Sequence, residues 1–382
     1  MKNRLTSEKH YNANDGVLPV LQTHVVTITG YNSNGDGVAR LDDGVVVFVR
    51  NAARGDVLEI ALTKKQRGNA RADIVRILSP SPHRIEPDCP KYPECGGCDF
   101  RHVTYDEELE AKLQRVNDAL VRIGGFSVCA TEILSTGNVD RYRNKATFHS
   151  DGKSLGFYQP NSRNIVPIDH CLLLKNDLNE TLKNLSPNSD VTIRSGQNQP
   201  GDKIIEEIDG LTFIITGFFQ VNPQAALLLF RKAREFASLS KSETLVDLYC
   251  GVGAITLFVG RDAGFAFGVE QNSAAVDAAK ENAKRNALSH IEFICADAAA
   301  WETDIPHPEC VIVDPPRKGL SCGAIHKMLD LSPRRIVYIS CDPATLARDL
   351  RLLNGYTIKE VSVIDMFPRT ANVECCCLLQ KG

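Results

Sequence analysis

Apolar and polar positions follow regular strand and helix periods along the second half of the chain. Short apolar runs rich in β-branched residues predict strands at 244–249, 265–270, 291–295, 310–314 and 335–340. Apolar residues three and four positions apart predict helices at about 254–262, 272–287, 321–331 and 343–353. Two more strands, 356–364 and 373–379, have no helix between them. The pattern predicts a Rossmann-like α/β domain in which five parallel strands are closed by a terminal β-hairpin.

The first half of the chain has a different pattern. Short β-rich runs alternate with Gly/Asp turns at 24–29, 44–49, 57–62 and 72–77, which is typical of a small, OB-like β-barrel. Beyond it, an amphipathic segment at 105–123 predicts a helix, and mixed strands and loops follow. We therefore predict four parts: a disordered tail at 1–16, a barrel at 17–80, a central α+β domain at 81–210 and the α/β domain at 211–382.

Composition narrows the possible functions only a little. The 382 residues carry a formal net charge of −3, so any nucleic-acid site must depend on a local basic patch. One such set lies on or beside the second half of the barrel: Lys64, Lys65, Arg67, Arg71, Arg76 and Arg84. It either follows an RNA backbone or forms a solvated hairpin tip.

No signal peptide and no run long enough to span a bilayer are visible, so we expect a cytoplasmic protein without membrane contact. Thirteen cysteines in a reducing compartment indicate metal binding and catalysis rather than disulfides.

Three of these cysteines lie within ten residues, in the segment CPKYPECGGC at 89–98. The glycines between Cys95 and Cys98 allow a tight fold that turns several sulfurs toward one centre. A tetrahedral zinc ion or a cubane cluster needs a fourth ligand, for which Cys171 is the candidate beside Cys89, Cys95 and Cys98. Spacing alone leaves zinc and iron–sulfur open.

Side chains at successive strand ends predict a site for S-adenosylmethionine (SAM). Gly251 and Gly253 follow the first strand and allow a nucleotide close to the backbone, but the full dinucleotide motif is absent. Glu270 ends the second strand and can accept bonds from ribose hydroxyls, and Asp297 follows the third, where it can bind the adenine amino group. Gln220 precedes a helix that Asn222 caps, and its side chain is free to contact a ligand.

The segment Tyr338-Ile-Ser-Cys341-Asp-Pro343 places a cysteine at the end of a buried strand, facing the expected cleft. Uracil C5 is a poor nucleophile, but a thiolate that adds at C6 makes C5 reactive toward a methyl donor. We predict Cys341 as this nucleophile and Glu374, where the final hairpin returns to the sheet, as the base that removes the C5 proton. Arg317 replaces the aromatic residue of many base-nitrogen methyltransferases, which argues against that class.

These motifs together resemble the RNA uracil-C5 methyltransferase family. The matching stretches are GFFQVNPQ at 217–224, VDLYCGVGAITL at 246–257, DPPRKGL at 314–320, YISCDPATLARDL at 338–350 and DMFPRTANVE at 365–374. The resemblance implies a class I methyltransferase domain in which SAM is contacted by Gln220, Tyr249, Glu270 and Asp314. It also implies Cys341 as nucleophile and Glu374 as base.

The first half of the chain looks like the ribosomal-RNA members of this family, whose barrel is a TRAM domain and whose four cysteines hold a [4Fe-4S] cluster. That likeness favours 23S rRNA as substrate over U54 of tRNA. We also expect a monomer. The third possibility is a non-catalytic RNA-binding iron–sulfur protein. Two positions depart from the family pattern: Asn372 where histidine is common, and Ala254 where some members have asparagine.

Overall fold

The computed structural model describes residues 23–197, 204–302 and 307–382, so the predicted tail at 1–16 lies outside the described residues. The barrel consists of six strands: β1 (Thr23–Thr27), β2 (Gly30–Tyr31), β3 (Gly37–Arg40), β4 (Val46–Val49), β5 (Val57–Gln66) and β6 (Asn69–Ser79). They pair in the order β1-β5-β6-β4-β3-β2 around an apolar core. The short strands β2 and β3 were not predicted, because a polar turn at 32–36 interrupts the apolar pattern there.

The central domain begins with a helix that the sequence marks clearly. Helix α1 (Tyr105–Asp118) starts at Thr104, whose side chain accepts a hydrogen bond from the Glu107 amide, and its first turn is acidic. The predicted helix to residue 123 ends instead in one π-helical turn, Ala119–Ile123. The remaining elements are β7 (Ile133–Leu134), β8 (Lys145–Ser150), β9 (Leu155–Tyr158), β10 (Ile165–Pro167), α2 (Asn176–Lys183), β11 (Val191–Arg194) and β12 (Ile204–Ile208).

Strands β8 to β11 form an antiparallel sheet in the order β10-β9-β8-β11. Strand β12 pairs with β13 (Leu211–Ile215), so this hairpin crosses the predicted domain boundary at 210/211. Strand β7 leaves the central domain altogether and joins the edge of the large sheet beside the terminal hairpin. The central and C-terminal parts of the chain are therefore joined by a continuous sheet.

The C-terminal domain has the predicted Rossmann-like α/β architecture. Its further elements are α3 (Pro223–Ala237), β14 (Thr244–Leu248), α4 (Ala254–Gly260), β15 (Phe265–Glu270), α5 (Ser273–Arg285), β16 (Ile291–Cys295), β17 (Cys310–Val313), α6 (Cys322–Leu331), β18 (Arg335–Ser340), α7 (Pro343–Leu350), β19 (Tyr356–Ile364) and β20 (Glu374–Lys381). The sheet order is β16-β15-β14-β17-β18-β20-β19-β7. Strands β14 to β18 are parallel, and β20 inserts antiparallel between β18 and β19.

Two apolar clusters cover the two faces of this sheet. Helices α3, α4 and α5 pack on one face, and α1 and α6 with part of α7 pack on the other. The three consecutive cysteines at 375–377 are fully buried and alternate between the faces, as side chains of a central strand must. Among the residues described, no helix combines the length and apolar character needed to cross a membrane.

Candidate active site

The pairing of β18 with β20 brings Cys341 and Glu374 together. Ser340, the last residue of β18, lies opposite Cys375 in the antiparallel ladder. Continuing that register by one residue places Cys341 against Glu374, the first residue of β20. Glu374 is only 3% exposed, whereas Cys341 is half-buried at the cleft. The two side chains predicted as nucleophile and base thus meet at the carboxyl end of the sheet.

The charges around this pair act in opposite directions. The pKa of the Cys341 thiol is raised to about 11, first by burial and then by the negative charges of Glu374 and Asp314, while Arg317 opposes the rise. Burial also raises the pKa of Glu374 well above its usual range; Asp314 adds to that effect, and Arg317 again opposes it. Arg317 is therefore the cation that favours the ionised form of both groups. Sequence reasoning did not assign it this role.

Arg317 is held by the residue that departs from the family pattern. Its Nη2 donates to Asn372 Oδ1 at 3.4 Å, and the Asn372 amide donates to Thr370 Oγ1 at 3.2 Å. Asn372 therefore links Arg317 to Thr370, in the segment that precedes Glu374.

The turn after Cys341 is fixed by a helix cap. Asp342 Oδ1 accepts a hydrogen bond from the Thr345 amide at 2.8 Å, and the Asp342 amide donates to Ser340 Oγ at 3.2 Å. Pro343 occupies the first position of α7, which suits a residue without an amide proton. The cap determines the direction in which the chain leaves β18, and so presents the Cys341 thiol to the cleft.

The acids predicted at the first strand ends lie around the glycine turn. Glu270 accepts hydrogen bonds from the amides of Gly251 at 3.1 Å and Asn272 at 2.8 Å, so both of its oxygens are fixed. Gly251 has φ +55 and open space where a Cβ would stand, which leaves room for a ligand against the backbone. Tyr249 is half-buried; burial raises the pKa of its hydroxyl, and the charge of the exposed Asp297 adds to that rise.

One acid in this region was missed by sequence reasoning. Asp247 in β14 is 1% exposed, and its pKa is raised to about 7, first by burial and then by the charges of Asp314 and Glu270. Its Oδ2 accepts from the Thr256 hydroxyl at 2.5 Å, while Oδ1 is buried without a hydrogen-bond partner among the described residues. A carboxylate inside an otherwise apolar strand was the signal available in the sequence, between Val246 and Leu248.

Gln220 is buried in the loop between β13 and α3. This loop is anchored at Asn222, whose Oδ1 accepts from the Ala225 amide and whose Nδ2 donates to the carbonyl of Met366 at 3.2 Å. These hydrogen bonds connect the loop that carries Gln220 to the segment that precedes Glu374.

The four predicted metal ligands line one cavity of about 420 Å³: Cys89, Cys95, Cys98 and Cys171. The pKa of Cys98 is raised to about 12, first by burial and further by the charges of Cys171 and Cys95, while Arg101 opposes the rise. In the described part of the chain, no three His, Cys, Asp or Glu side chains stand in a ready-made metal-binding arrangement. The four cysteines therefore lie around one cavity, but their sulfurs are not arranged around a single point.

Comparison with known proteins agrees with this architecture. The family model described as tRNA (Uracil-5-)-methyltransferase matches residues 307–382, the TRAM domain model matches residues 20–75, and the methyltransferase small domain model matches residues 224–336. The first and third of these cover β14 to β20, the strands that carry the candidate site. The second confirms the predicted TRAM barrel.

Two similar curated proteins are described as uncharacterized RNA methyltransferases. The one from Clostridium tetani is 32% identical and covers 92% of this chain and 95% of its own length. The one from Halalkalibacterium halodurans is 31% identical, with 93% of this chain and 96% of its own length covered.

Among solved structures, the Pyrococcus abyssi tRNA (uracil-54, C5)-methyltransferase in complex with S-adenosyl-L-homocysteine has a TM-score of 0.74. It is 24% identical, and the match covers 93% of this chain and all of that one. The fold is therefore shared along nearly the whole length. With the family matches and the full-length relatives, this shows that the chain belongs to the RNA uracil-C5 methyltransferase family.

Proposed function

We propose that this chain transfers a methyl group from SAM to C5 of a specific uridine in RNA, through a covalent bond between Cys341 and C6. The observation that carries the proposal is the position of Cys341 opposite Glu374 at the cleft end of β18 and β20. Arg317 beside both groups gives the cation that an addition–elimination route needs.

The steps assign one task to each side chain. The Cys341 thiolate adds to C6, and the electron pair of the C5–C6 double bond moves onto the ring as an enolate. SAM would supply an electrophilic methyl group on its sulfonium: as C5 forms the new carbon–carbon bond, the bond between methyl and sulfur would break and S-adenosyl-L-homocysteine would leave. Glu374 then removes the C5 proton, the double bond re-forms, and the bond between C6 and the Cys341 sulfur breaks. The thiolate is regenerated at the end.

The donor site follows from the residues at the strand ends. The open space beside Gly251 and the unpaired oxygen of Asp247 fit a ligand that carries both a nucleoside and a cationic amino group. Glu270, Asp297 and Tyr249 lie where a ribose and an adenine would be held, and Gln220 and Asp314 complete the proposed set. Asp297 is exposed, so its carboxylate is accessible to such a ligand.

We propose 23S rRNA as the substrate, because the TRAM barrel and the four clustered cysteines are combined in this chain. The runner-up is U54 of tRNA, which the match to the tRNA (Uracil-5-)-methyltransferase model favours. A non-catalytic RNA-binding protein is the weakest alternative, since Cys341 and Glu374 are both present and adjacent.

The test is methyl transfer from labelled SAM to 23S rRNA and tRNA transcripts, followed by nucleoside analysis. We expect 5-methyluridine in 23S rRNA, and none with the Cys341→Ala variant. Product in tRNA alone would reverse the choice of substrate. Methyl transfer undiminished in Cys341→Ala would contradict the covalent route, and no transfer to any RNA would favour the non-catalytic alternative.

We further propose that Cys89, Cys95, Cys98 and Cys171 hold a [4Fe-4S] cluster. The support is that the charges of these thiols raise one another's pKa, so a cationic centre would stabilise them as thiolates. Iron and sulfide analysis after anaerobic purification tests this. We expect about four irons per chain, lost in Cys98→Ser and kept in a Cys322→Ser control, whose thiol is exposed outside the cavity. One zinc ion and no sulfide would overturn the assignment.

A further inference from the structure

The residue that directly follows the cysteine segment contacts the loop that precedes Glu374. The amides of Asp99 and Phe100 donate to the carbonyl of Arg369 at 2.9 Å and 3.2 Å. In return, the Ala371 amide donates to Asp99 Oδ2 at 2.9 Å, across 272 residues of sequence. Asp99 therefore binds this loop with both its backbone and its side chain, three residues before Glu374.

The loop needs such contacts, because its backbone is strained. Arg369 has φ +68, a left-handed conformation that is strained for a residue other than glycine. Four further groups of the central domain hold it: Glu108 accepts from the Arg369 amide at 2.6 Å, Tyr142 donates to the Pro368 carbonyl at 3.0 Å, Lys112 donates to the Phe367 carbonyl at 3.1 Å, and Arg115 donates to the Ala371 carbonyl. Asp99 and Arg115 hold the end of the loop nearest to Glu374, and Asp99 is the one of the two that accepts from the Ala371 amide.

Asp99 is itself fixed from two sides. The Tyr92 hydroxyl, within the cysteine segment, lies 3.2 Å from the Asp99 carbonyl oxygen. On the barrel side, Gly35 approaches so closely that an added Cβ would stand 3.0 Å from the Asp99 Cβ. Asp99 thus contacts the barrel and the cysteine segment on one side and the loop before Glu374 on the other.

We propose that Asp99 is a positioning residue that aligns Glu374 for removal of the C5 proton. The inference rests on the proposed function, in which Glu374 is the base. It assigns the cysteine segment a mechanical role in one step of the reaction, because Asp99 is adjacent to Cys98 in the chain. A redox role is not required for this coupling.

The two halves of the reaction should respond differently to the loss of Asp99. Cys341 is placed by β18 and the cap of α7, and within the described part of the chain the hydrogen bonds of Asp99 go to the 369–371 loop and to Tyr92 instead. Loss of the Asp99 contacts should therefore slow proton removal more than addition at C6, which the loop reaches only through Asn372 and Arg317. The intermediate that precedes proton removal, with the ring still bonded to Cys341, should then accumulate on ordinary uridine RNA.

The experiment compares Asp99→Ala with Asp99→Asn, which keeps an oxygen that can accept from the Ala371 amide. Purified, cluster-loaded variants are mixed with ordinary uridine RNA and SAM, and protein–RNA adducts are separated on denaturing gels. We expect turnover in Asp99→Ala to fall about 10²-fold while a denaturation-stable adduct builds up. Asp99→Asn should restore turnover, and Glu94→Ala, an exposed change in the same segment, should match the parent chain.

The outcomes discriminate between this inference and the proposed function. Adduct in Glu374→Gln but not in Asp99→Ala would overturn the role of Asp99 alone. Absence of adduct in Glu374→Gln would show that Glu374 is not the base, so the proposed function fails first. If Asp99→Ala does not fold, Asp99→Leu fills the same space without an acceptor; failure of both to fold would make Asp99 a structural residue and overturn the proposal.

Discussion

Two groups of buried charges lie near the terminal hairpin, one at Asp365 after β19 and one at Glu374 in β20. They differ in whether their acids are paired with a cation. Under the hairpin, Lys112 is 1% exposed and donates to Glu108 at 2.7 Å and to Asp365 at 2.5 Å. The Tyr105 hydroxyl also donates to Asp365 at 2.5 Å. Each carboxylate there has at least one strong partner, and the cation is shared between two acids.

At the strand ends the acids outnumber their partners. Burial raises the pKa of both Asp247 and Glu374, the charge of Asp314 adds to the rise at each, and Arg317 opposes the rise at Glu374. A buried carboxylate without a partner is costly, so this group lowers stability in the ligand-free chain. The contrast teaches that buried acids that share a cation, here called the satisfied group, hold the fold, whereas the acids that outnumber their cations, the unsatisfied group, lie at the candidate site.

The largest expected effect is on stability, at the satisfied group. Lys112→Met leaves Glu108 and Asp365 buried without their cation, which should lower the free energy of unfolding by about 3–5 kcal/mol. Lys183→Met removes an exposed partner of Glu180 and should cost less than about 1 kcal/mol. Urea unfolding followed by circular dichroism measures both. Equal effects of the two changes would remove the distinction between the groups.

At the unsatisfied group, removal of a charge should raise the free energy of unfolding instead of lowering it. Because the pKa of Asp247 is raised to about 7 in the folded chain, stability is lost as the pH rises from the ordinary pKa of an aspartate towards 7, and the full cost is present above that pH. Asp247→Asn should therefore raise the free energy of unfolding at pH 8, by about 1 kcal/mol or more, with little effect at about pH 4. At the same time it should weaken SAM binding about tenfold, through loss of a hydrogen bond to a charged group.

Thermal unfolding at the two pH values and calorimetric titration with SAM test this pair of effects. Asp277→Asn, an exposed change on α5, is the matched control and should alter neither. A variant that is less stable at pH 8 and binds SAM normally would show that Asp247 belongs with the structural charges.

The smallest expected effect is on the pH dependence of adduct formation. With the pKa of Cys341 near 11, the thiolate fraction rises with pH throughout the neutral range. Arg317→Ala should raise that pKa further, so the rate of adduct formation at pH 7 should fall, about tenfold for every pH unit by which the thiol pKa rises. The whole profile then moves to higher pH, and Arg317→Lys should recover part of the rate. Stopped-flow adduct formation between pH 6 and 10 measures the profile; an unchanged curve would remove Arg317 from thiolate stabilisation.

Much of this fold and part of the site could be predicted from the sequence. Parallel strands with helices between them are set by local periodicity, and the ends of such strands meet at one edge, which is why Cys341 and Glu270 could be placed in one cleft. Glu374 was predicted as the base because it lies where the final hairpin returns to the sheet, near the predicted Cys341, and because the family resemblance implies it. Burial of the cysteines at 375–377 follows from the same strand pattern.

Contacts that join distant segments could not be read in this way. The bond between Ala371 and Asp99 spans 272 residues, and the pairing of β7 with β19 brings the central domain into the large sheet. The role of Arg317 depends on its approach to Cys341 in three dimensions, which its motif does not reveal. Asp247 gave a visible signal, a charged residue inside an apolar strand, but its unpaired oxygen is recognisable only when the neighbours are in place.

The central claim is that one thiol bonds to the pyrimidine ring, and mass spectrometry tests it directly. RNA containing 5-fluorouridine is incubated with the protein and SAM. A base cannot remove fluorine from C5 as it removes a proton, so the bond between C6 and the cysteine sulfur persists. After nuclease and protease digestion, we predict a methylated fluorouridine nucleotide on the peptide containing Cys341 and on no other cysteine peptide. The nucleotide on a different cysteine, or methylated RNA with no protein adduct, would contradict the account.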